Sequence, residues 1–280
     1  MLSSLLIEKS VRAALEEDIG LRGDATSDIL IPGDARVQAV ISSRQPGILA
    51  GLIVGLSAFS LLDSDLDMLV HVQDGEPLKK GQKIAEIEGP ARSILMAERT
   101  ALNFMSHMSG IATLTNAYVR KIEGTGAEIC DTRKTLPGLR AFQKYAVSIG
   151  GGANHRFGLD DAILIKDNHI AIAGGVSAAL EQARLLAGHT QKIEIEVDTL
   201  KQLSEVLDHG GADIVMLDNM DLKTLKKAVA MAEGKVTTEA SGGVTLETVA
   251  AIAGTGVDYI SIGALTHSAP ALDLGLDIDA

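Results

Sequence analysis

The chain has no tryptophan, a single cysteine and only 2% aromatic residues in 280 positions. A lone Cys130 cannot close an internal disulfide, and no Cys/His spacing resembles a zinc site; a reducing cytosol suits such a chain best. With apolar residues at 46% and so few rings, the core must be aliphatic. Positive charge is scarce as well. A formal net charge of -12 and a pI near 5.0 exclude a general surface for nucleic acid or anionic membrane, because such binding is built from clustered Lys and Arg. Any anion site must therefore be local. Residues 45–62, QPGILAGLIVGLSAFSLL, are uncharged and just reach spanning length, but Pro46 and three glycines break them into strand, turn and short helix. The opening MLSSLLIEKS has no basic leader and meets Glu8 and Lys9 too early for a signal peptide.

What is present divides in two. The first hundred residues mix an amphipathic helix near 4–18, closed by Gly20, strands near 36–44, 67–73 and 83–88, and a helix near 54–63, the pattern of an α+β domain. From about 91 to 123 the pattern is helical, and SGIAT at 109–113 predicts a break between two helices and the domain boundary. From residue 127 short apolar strands alternate with helices: AEIC, AILIKD, KIEIEVD, DIVMLD, VTTEAS and YISIGAL. The last four begin near 192, 213, 236 and 259, a spacing of 21 to 23 residues that fits one strand, one helix and two tight loops. Six or seven such strands either close a barrel or form an open doubly wound sheet, and both put ligands at the carboxyl ends of the strands. No G-x-G-x-x-G follows a strand, which disfavours a dinucleotide fold.

Successive strand side chains point to opposite faces. In KIEIEVD this sends Ile193, Ile195 and Val197 toward the helices and Glu194, Glu196 and Asp198 to the other face, where three carboxylates make a poor structural core. Lys166, Asp218, Glu239 and Ser241 fall in the lumen by the same rule. Between 131 and 166 six cations, Arg133, Lys134, Arg140, Lys144, Arg156 and Lys166, stand against Asp131, Asp160 and Asp161. Arg140 and Lys144, four apart, read equally well as a solvated helix face; Arg133, Lys134 and Lys166 sit at strand ends. His155 follows three glycines that let backbone approach a ligand closely, although a lone histidine, like His169, reads more readily as structural. Arg99, on the helix AERTALNF, reads by default as a salt-bridge residue. The turns SGGVT at 241–245 and SIGALTHS at 261–268 offer backbone N–H groups suited to phosphate. Glu196 and Asp218 suit a Mg2+ bridging to a polyphosphate. Cations, carboxylates and phosphate turns together point to a phosphorylated, highly anionic substrate.

The stretch DTRKTLPGLRAFQKYAVSIGGGANHRFGLDDAILIKDNH, residues 131–169, resembles the quinolinate phosphoribosyltransferase family. GDATSD near the start, AERTALNFMSHMSGIATLT at 97–115, IEIEVDTL at 193–200, IVMLDNM at 214–220 and SGGVTLETV at 241–249 extend the resemblance to nearly the whole chain. It implies a type II phosphoribosyltransferase joining quinolinate to phosphoribosyl pyrophosphate, with Mg2+ as cofactor. The implied fold is α/β: an N-terminal α+β sandwich over 1–110, then an incomplete, seven-stranded TIM-like barrel over 111–266, the tail 267–280 packing back on the first domain. By motif, Arg133, His155, Arg156 and Lys166 line the quinolinate pocket, and Lys134 is shared between substrates. Glu196 and Asp218 hold the ribose hydroxyls and Mg2+, while Ser241, Gly242, Gly263 and His267 seat the 5'-phosphate. Arg99 reaches a neighbouring subunit's site, implying a homodimer with a shared active site; dimer and hexamer both stay open. RQPGILAGL lacks an acidic pair common in the family and NFMSHM is bulkier than usual, but neither touches an implied contact.

Quinolinate is a dicarboxylate and its partner a polyphosphate, so fixed cations must offset their repulsion, and the planar fork of arginine matches a carboxylate. The expected chemistry is attack of the pyridine nitrogen on the anomeric carbon as pyrophosphate leaves. The resulting pyridinium then eases loss of the 2-carboxylate, and no general base is needed because the attacking nitrogen carries no proton. Two rivals remain at this point. VQDGEPLKKGQKIAEIEG at 72–89 resembles half of a lipoyl or biotinyl carrier domain, but ILMAER offers no modifiable lysine beside Met96. A paralogous phosphoribosyltransferase linked to molybdenum uptake shares parts of the motif, which the complete DTRK, NHR and IKDNH set disfavours.

Overall fold

The computed structural model describes residues 2–279. These fall into two compact units, one taking the chain up to 116 with 136–151 and the segment from 268 onward, the other 117–135 and 152–267. In the first unit α1 (Ser4–Ile19) buries Ile7, Val11 and Leu15, a stripe at helical spacing. Asp24 starts α2 (Ala25–Leu30) by accepting the N–H groups of Thr26 and Ser27. There follow β1 (Arg36–Ser43), β2 (Gly47–Ile48), α3 (Leu52–Leu62), β3 (Asp67–Val70), β4 (Pro77–Leu78), β5 (Lys83–Pro90) and the long α4 (Ala91–Lys121). The uncharged stretch 45–62 thus becomes β2 and α3, and among the described residues no helix is long and apolar enough to cross a membrane.

The expected break at 109–113 does not occur: α4 runs through it unbroken. Gly110 is there for contact rather than for a turn, since a Cβ at that position would lie 2.0 Å from the Pro270 carbonyl oxygen. Ser109 spends its hydroxyl on Ala50, accepting the N–H at 3.0 Å and donating to the carbonyl at 3.1 Å.

The rest of the chain is β6 (Glu128–Cys130), α5 (Arg140–Ile149), β7 (Ile163–Ile165), α6 (Asp167–Ala173), α7 (Val176–Leu186), β8 (Ile193–Val197), α8 (Leu200–His209) and β9 (Ile214–Asp218). It closes with α9 (Leu222–Ala232), β10 (Thr237–Ser241), α10 (Val249–Ala253), β11 (Tyr259–Ser261), α11 (Ala264–His267) and β12 (Leu274–Asp279). Antiparallel β12-β1-β5-β3 makes the sheet of the first unit, so the tail adds an edge strand to β1. The helix α5 also groups there, although it follows β6 in sequence. Phe142 packs on Phe104 with ring centroids 5.6 Å apart, Gln143 Nε2 meets His107 Nε2 at 2.9 Å, and the Tyr145 hydroxyl donates to Asp74 at 2.8 Å. Lys144, one of the six cations, is only 3% exposed in this unit and is no solvated face.

The second unit is a parallel sheet in the order β6-β11-β10-β9-β8-β7, wrapped by its helices as an incomplete TIM-like barrel. Six strands form the ladder, and the expected seventh is reduced to a single bridge of Ala153 beside Cys130. Side chains explain the reduction. The N–H of His155 is taken by Asp131 Oδ1 at 2.9 Å and that of Phe157 by Asp161 Oδ2 at 2.7 Å, so neither is available to a strand neighbour. Alternation holds within β8, where Ile193, Ile195 and Val197 are fully buried, but Asp198, expected beside Glu194 and Glu196, is exposed past the end of the strand. Each such burial contributes roughly 1.5–3 kcal/mol. A reciprocal cap, Thr199 with Gln202, starts α8 directly after β8 and fixes where the strand ends.

Candidate active site

One cavity of about 530 Å³ opens at the carboxyl ends of the barrel strands. The chain leaving β6 brings Thr132, Arg133 and Lys134 to its wall; the segment past Ala153 brings His155 and Arg156; the end of β7 brings Lys166. From β8, β9 and β10 come Glu196, Asp218, Glu239 and Ser241, followed by the turn Gly242–Gly243. A smaller adjoining hollow of about 200 Å³ gathers Ser241, Gly242, Gly263 and His267 with Lys134. Of the residues given substrate or metal contacts by resemblance, only Arg99 is outside both walls: it lies on α4, 62% exposed by side chain, with Glu98 at 3.7 Å.

Arg133, Arg156 and Lys166 line the cavity, and Arg156 and Lys166 are each tied to the protein by a hydrogen bond. Arg156 spends Nη1 on the Ala162 carbonyl at 2.8 Å, while Arg156 Nε and Arg133 Nε are buried without a hydrogen-bond partner among the described residues. A buried polar donor left unpaired is costly. Burial, then the neighbouring Arg133 charge, pulls the Arg156 guanidinium below its ordinary value, with Glu194 and Asp161 opposing. Lys166 Nζ donates to Glu196 Oε2 at 2.5 Å, and the Lys166 N–H is held by His169 Nδ1 at 2.9 Å, giving His169 a backbone-anchoring role.

His155 has a partner at each ring nitrogen: Nδ1 accepts the Arg156 N–H at 2.7 Å, and Nε2 lies 3.1 Å from Glu194 Oε2 and 3.7 Å from Glu239 Oε1. The ring thus lines the cavity while facing two buried carboxylates. Burial and the Glu194 charge push the Glu239 carboxyl up to about 7.

Glu196 and Asp218 each engage one oxygen within the protein, Oε2 with Lys166 and Oδ2 with Asn219 Nδ2 at 2.5 Å. Their second oxygens have no hydrogen bond among the described residues. Two carboxylate oxygens on neighbouring strand ends, with room for phosphate and water, fit the oxygen-only shell that Mg2+ takes.

Asn219 is a site residue that strand patterning did not single out. It is the one described non-glycine residue with positive φ, 52°, and its N–H donates to the Ser241 carbonyl at 2.9 Å. Gly242, at φ 97°, must lack a side chain because a Cβ there would stand 2.1 Å from Asn219 Oδ1. Asparagine tolerates the left-handed region, so an Asn directly after a strand-end Asp was the available signal.

This arrangement agrees with a sequence match over almost the whole chain. The profile described as quinolinate phosphoribosyl transferase, N-terminal domain, matches residues 24–109, and its C-terminal domain counterpart matches 111–277. The chain belongs to the quinolinate phosphoribosyl transferase family. Within it, the chain is 46% identical over 277 residues to the probable nicotinate-nucleotide pyrophosphorylase [carboxylating] of Bacillus subtilis, covering 99% of this chain and 95% of that protein. The enzyme of that name from Mycobacterium leprae is 45% identical, with 96% of each chain covered. Among solved structures, the nicotinate-nucleotide pyrophosphorylase of Francisella tularensis superposes at a TM-score of 0.95 with 40% identity, covering 100% of this chain and 98% of that one.

Proposed function

We propose that the chain joins quinolinate to phosphoribosyl pyrophosphate, forming nicotinate mononucleotide, CO2 and pyrophosphate, a step of NAD biosynthesis. One observation carries this reading: Arg133, Lys134, Arg156 and Lys166 share a single cavity with Glu196, Asp218 and the Ser241–Gly243 turn, rather than lying on separate patches. The names of the relatives that match end to end support the same activity.

In this reading the dicarboxylate lies against Arg133 and Arg156, with Lys166 beside it. The ring nitrogen faces the sugar. Lys134, in the wall of both hollows, offsets charge on either substrate. The 5'-phosphate takes the smaller hollow, where Gly263 leaves room beside Lys134 and His267. Glu196 and Asp218 would hold Mg2+, which would supply charge compensation for the departing pyrophosphate. The protein's share is orientation and a field of fixed donors, which favours the charge arrangement of the transition state without reorganisation. Arg99, exposed and only loosely met by Glu98, reaches the cavity of a second copy, making a homodimer the working unit. The lone cysteine supports a cytosolic setting.

The test is CO2 release from carboxyl-labelled quinolinate. We expect release that needs both phosphoribosyl pyrophosphate and Mg2+, with no nucleotide formed from nicotinate at comparable rate. Nicotinate turnover equal to that of quinolinate, or release without the sugar donor, overturns the assignment.

A further inference from the structure

Loss of CO2 leaves an electron pair on C2 of the pyridinium, and a proton must arrive there to give the product. Lys134 stands toward the phosphate hollow, and the basic groups around the proposed quinolinate position are poor sources. The guanidiniums of Arg133 and Arg156 hold their protons too tightly. Lys166 Nζ is engaged by Glu196 at 2.5 Å. His155 Nδ1 accepts a backbone N–H at 2.7 Å, so its single proton sits on Nε2 and is directed at Glu194 Oε2, 3.1 Å away.

Glu239 differs from all of these. Its side chain is 5% exposed, its Oε1 is buried without a hydrogen-bond partner, and it forms part of the wall of the substrate cavity. It shares a cluster with His155 and Glu194 in which one ligand atom from each lies within 4.8 Å of the others. With a neutral imidazole between them, two carboxylates this deep cannot both be charged at modest cost. Glu194 accepts the imidazole N–H, whereas Glu239, whose Oε1 has no hydrogen-bond partner among the described residues, keeps its proton. The other groups felt at Glu239 are Asp131, Ser261 and Tyr259. Glu239 also borders a second hollow, of about 450 Å³, whose wall includes Lys192, Asp213 and Tyr259 at the opposite end of the strands.

We propose that Glu239 is the acid that protonates C2 after decarboxylation and is recharged from the opposite end of the barrel while substrates fill the catalytic mouth. This rests on the quinolinate reading above. The C2–carboxylate bond breaks, its electron pair stays on C2, the Glu239 O–H proton forms the new C2–H bond, and the carboxylate left behind takes a proton from water in the second hollow. The upward displacement of the Glu239 carboxyl, to about 7, keeps much of it in the acid form near neutrality.

The experiment compares wild type with Glu239→Gln, which keeps the shape and removes the acid, and Glu239→Asp, which keeps a shorter acid. Wild-type kcat should fall as pH rises through about 7, and Glu239→Gln should lose that limb. Its kcat should drop about 100-fold while quinolinate affinity by calorimetry stays within about threefold, and Glu239→Asp should recover about tenfold of the loss. Should Glu239→Gln fail to fold, the pH limb of Glu239→Asp decides: displacement from the wild-type position supports the proposal, and coincidence with it overturns it. Turnover of Glu239→Gln within about threefold of wild type, or loss of affinity in parallel with kcat, overturns it too. Absence of CO2 release by wild type removes the underlying reading; unimpaired release by Glu239→Gln removes only the acid.

Discussion

At the N-terminal ends of the barrel strands, acidic side chains hold backbone. Asp213 Oδ2 accepts the Ile193 N–H at 2.8 Å, and Asp258 Oδ2 accepts the Thr238 N–H at 2.8 Å and its hydroxyl at 2.7 Å, tying neighbouring strands together. At the C-terminal ends Glu196 and Asp218 hold no backbone; each meets one side chain, Lys166 and Asn219, and keeps an oxygen for something else. Asp213 and Asp258 are spent on stability, as is Asp131 beyond β6, whereas Glu196 and Asp218 are held in reserve. In a barrel whose loops converge at the carboxyl ends, that division is what locates the chemistry.

The sharpest way to break this comparison is at the reserved end. Arg133→Ala removes a cavity-wall cation whose Nε has no hydrogen-bond partner among the described residues, so no hydrogen bond seen there is lost with that nitrogen. We expect kcat/KM for quinolinate to fall about 10³-fold, the equivalent of one ion pair of about 4 kcal/mol at 4 Å and an effective dielectric near 20, while the melting temperature does not fall. Steady-state kinetics and a melting curve on the same preparation check both halves. A normal Michaelis constant, or a lowered melting temperature with activity intact, would make Arg133 structural and erase the difference between the two ends.

How far the sequence discloses this layout depends on whether a feature is local. Period-two alternation in KIEIEVD assigns Ile193, Ile195 and Val197 to the helix side and Glu194 and Glu196 to the lumen, because pleating alone decides it. The cations after β6 and β7 are legible for the same reason. Gly110 misleads, since a glycine that admits the Pro270 carbonyl looks the same in sequence as one that ends a helix. Amphipathicity shows that α5 has an apolar face but not that Phe104 covers it. The missing ladder at residues 154–157 depends on Asp131 and Asp161 taking backbone N–H groups, a tertiary event with no pattern in the chain. Glu239 was legible as a lumen residue; its pairing with Glu194 and His155 was not, because one arrives from β8 and the other from the irregular segment after Ala153.

The other end sharpens the comparison with a smaller effect. Asp258→Ala leaves the Thr238 N–H without its acceptor and loosens the contact between β10 and β11. A loss of about 2 kcal/mol in stability is expected, with kcat/KM at low temperature within about threefold of wild type. Denaturant unfolding followed by activity before the transition measures both. A large fall in activity with unchanged stability would place Asp258 among the residues held in reserve.

The smallest effect is expected where the two habits meet. Asp221 lies just beyond the carboxyl end of β9, three residues past Asp218, yet its Oδ1 accepts the Thr224 N–H at 2.8 Å and starts α9. Function therefore follows what an acid holds, not which end of the barrel it occupies. Those bonds from the Thr224 backbone and hydroxyl hold the Asp221 carboxyl below its ordinary 3.8. A carboxyl depressed in the folded state contributes its stabilisation above the unfolded value and loses it as pH falls through the folded one, so this contribution fades in acid below about pH 4. Asn is about as good an N-cap and does not titrate. Asp221→Asn should thus leave melting temperature and kcat/KM at pH 7 close to wild type while flattening the acid side of the melting-temperature profile. If it instead weakens the Mg2+ dependence of turnover, Asp221 belongs with Glu196 and Asp218, and the boundary between holding backbone and holding ligand must move three residues further along the chain.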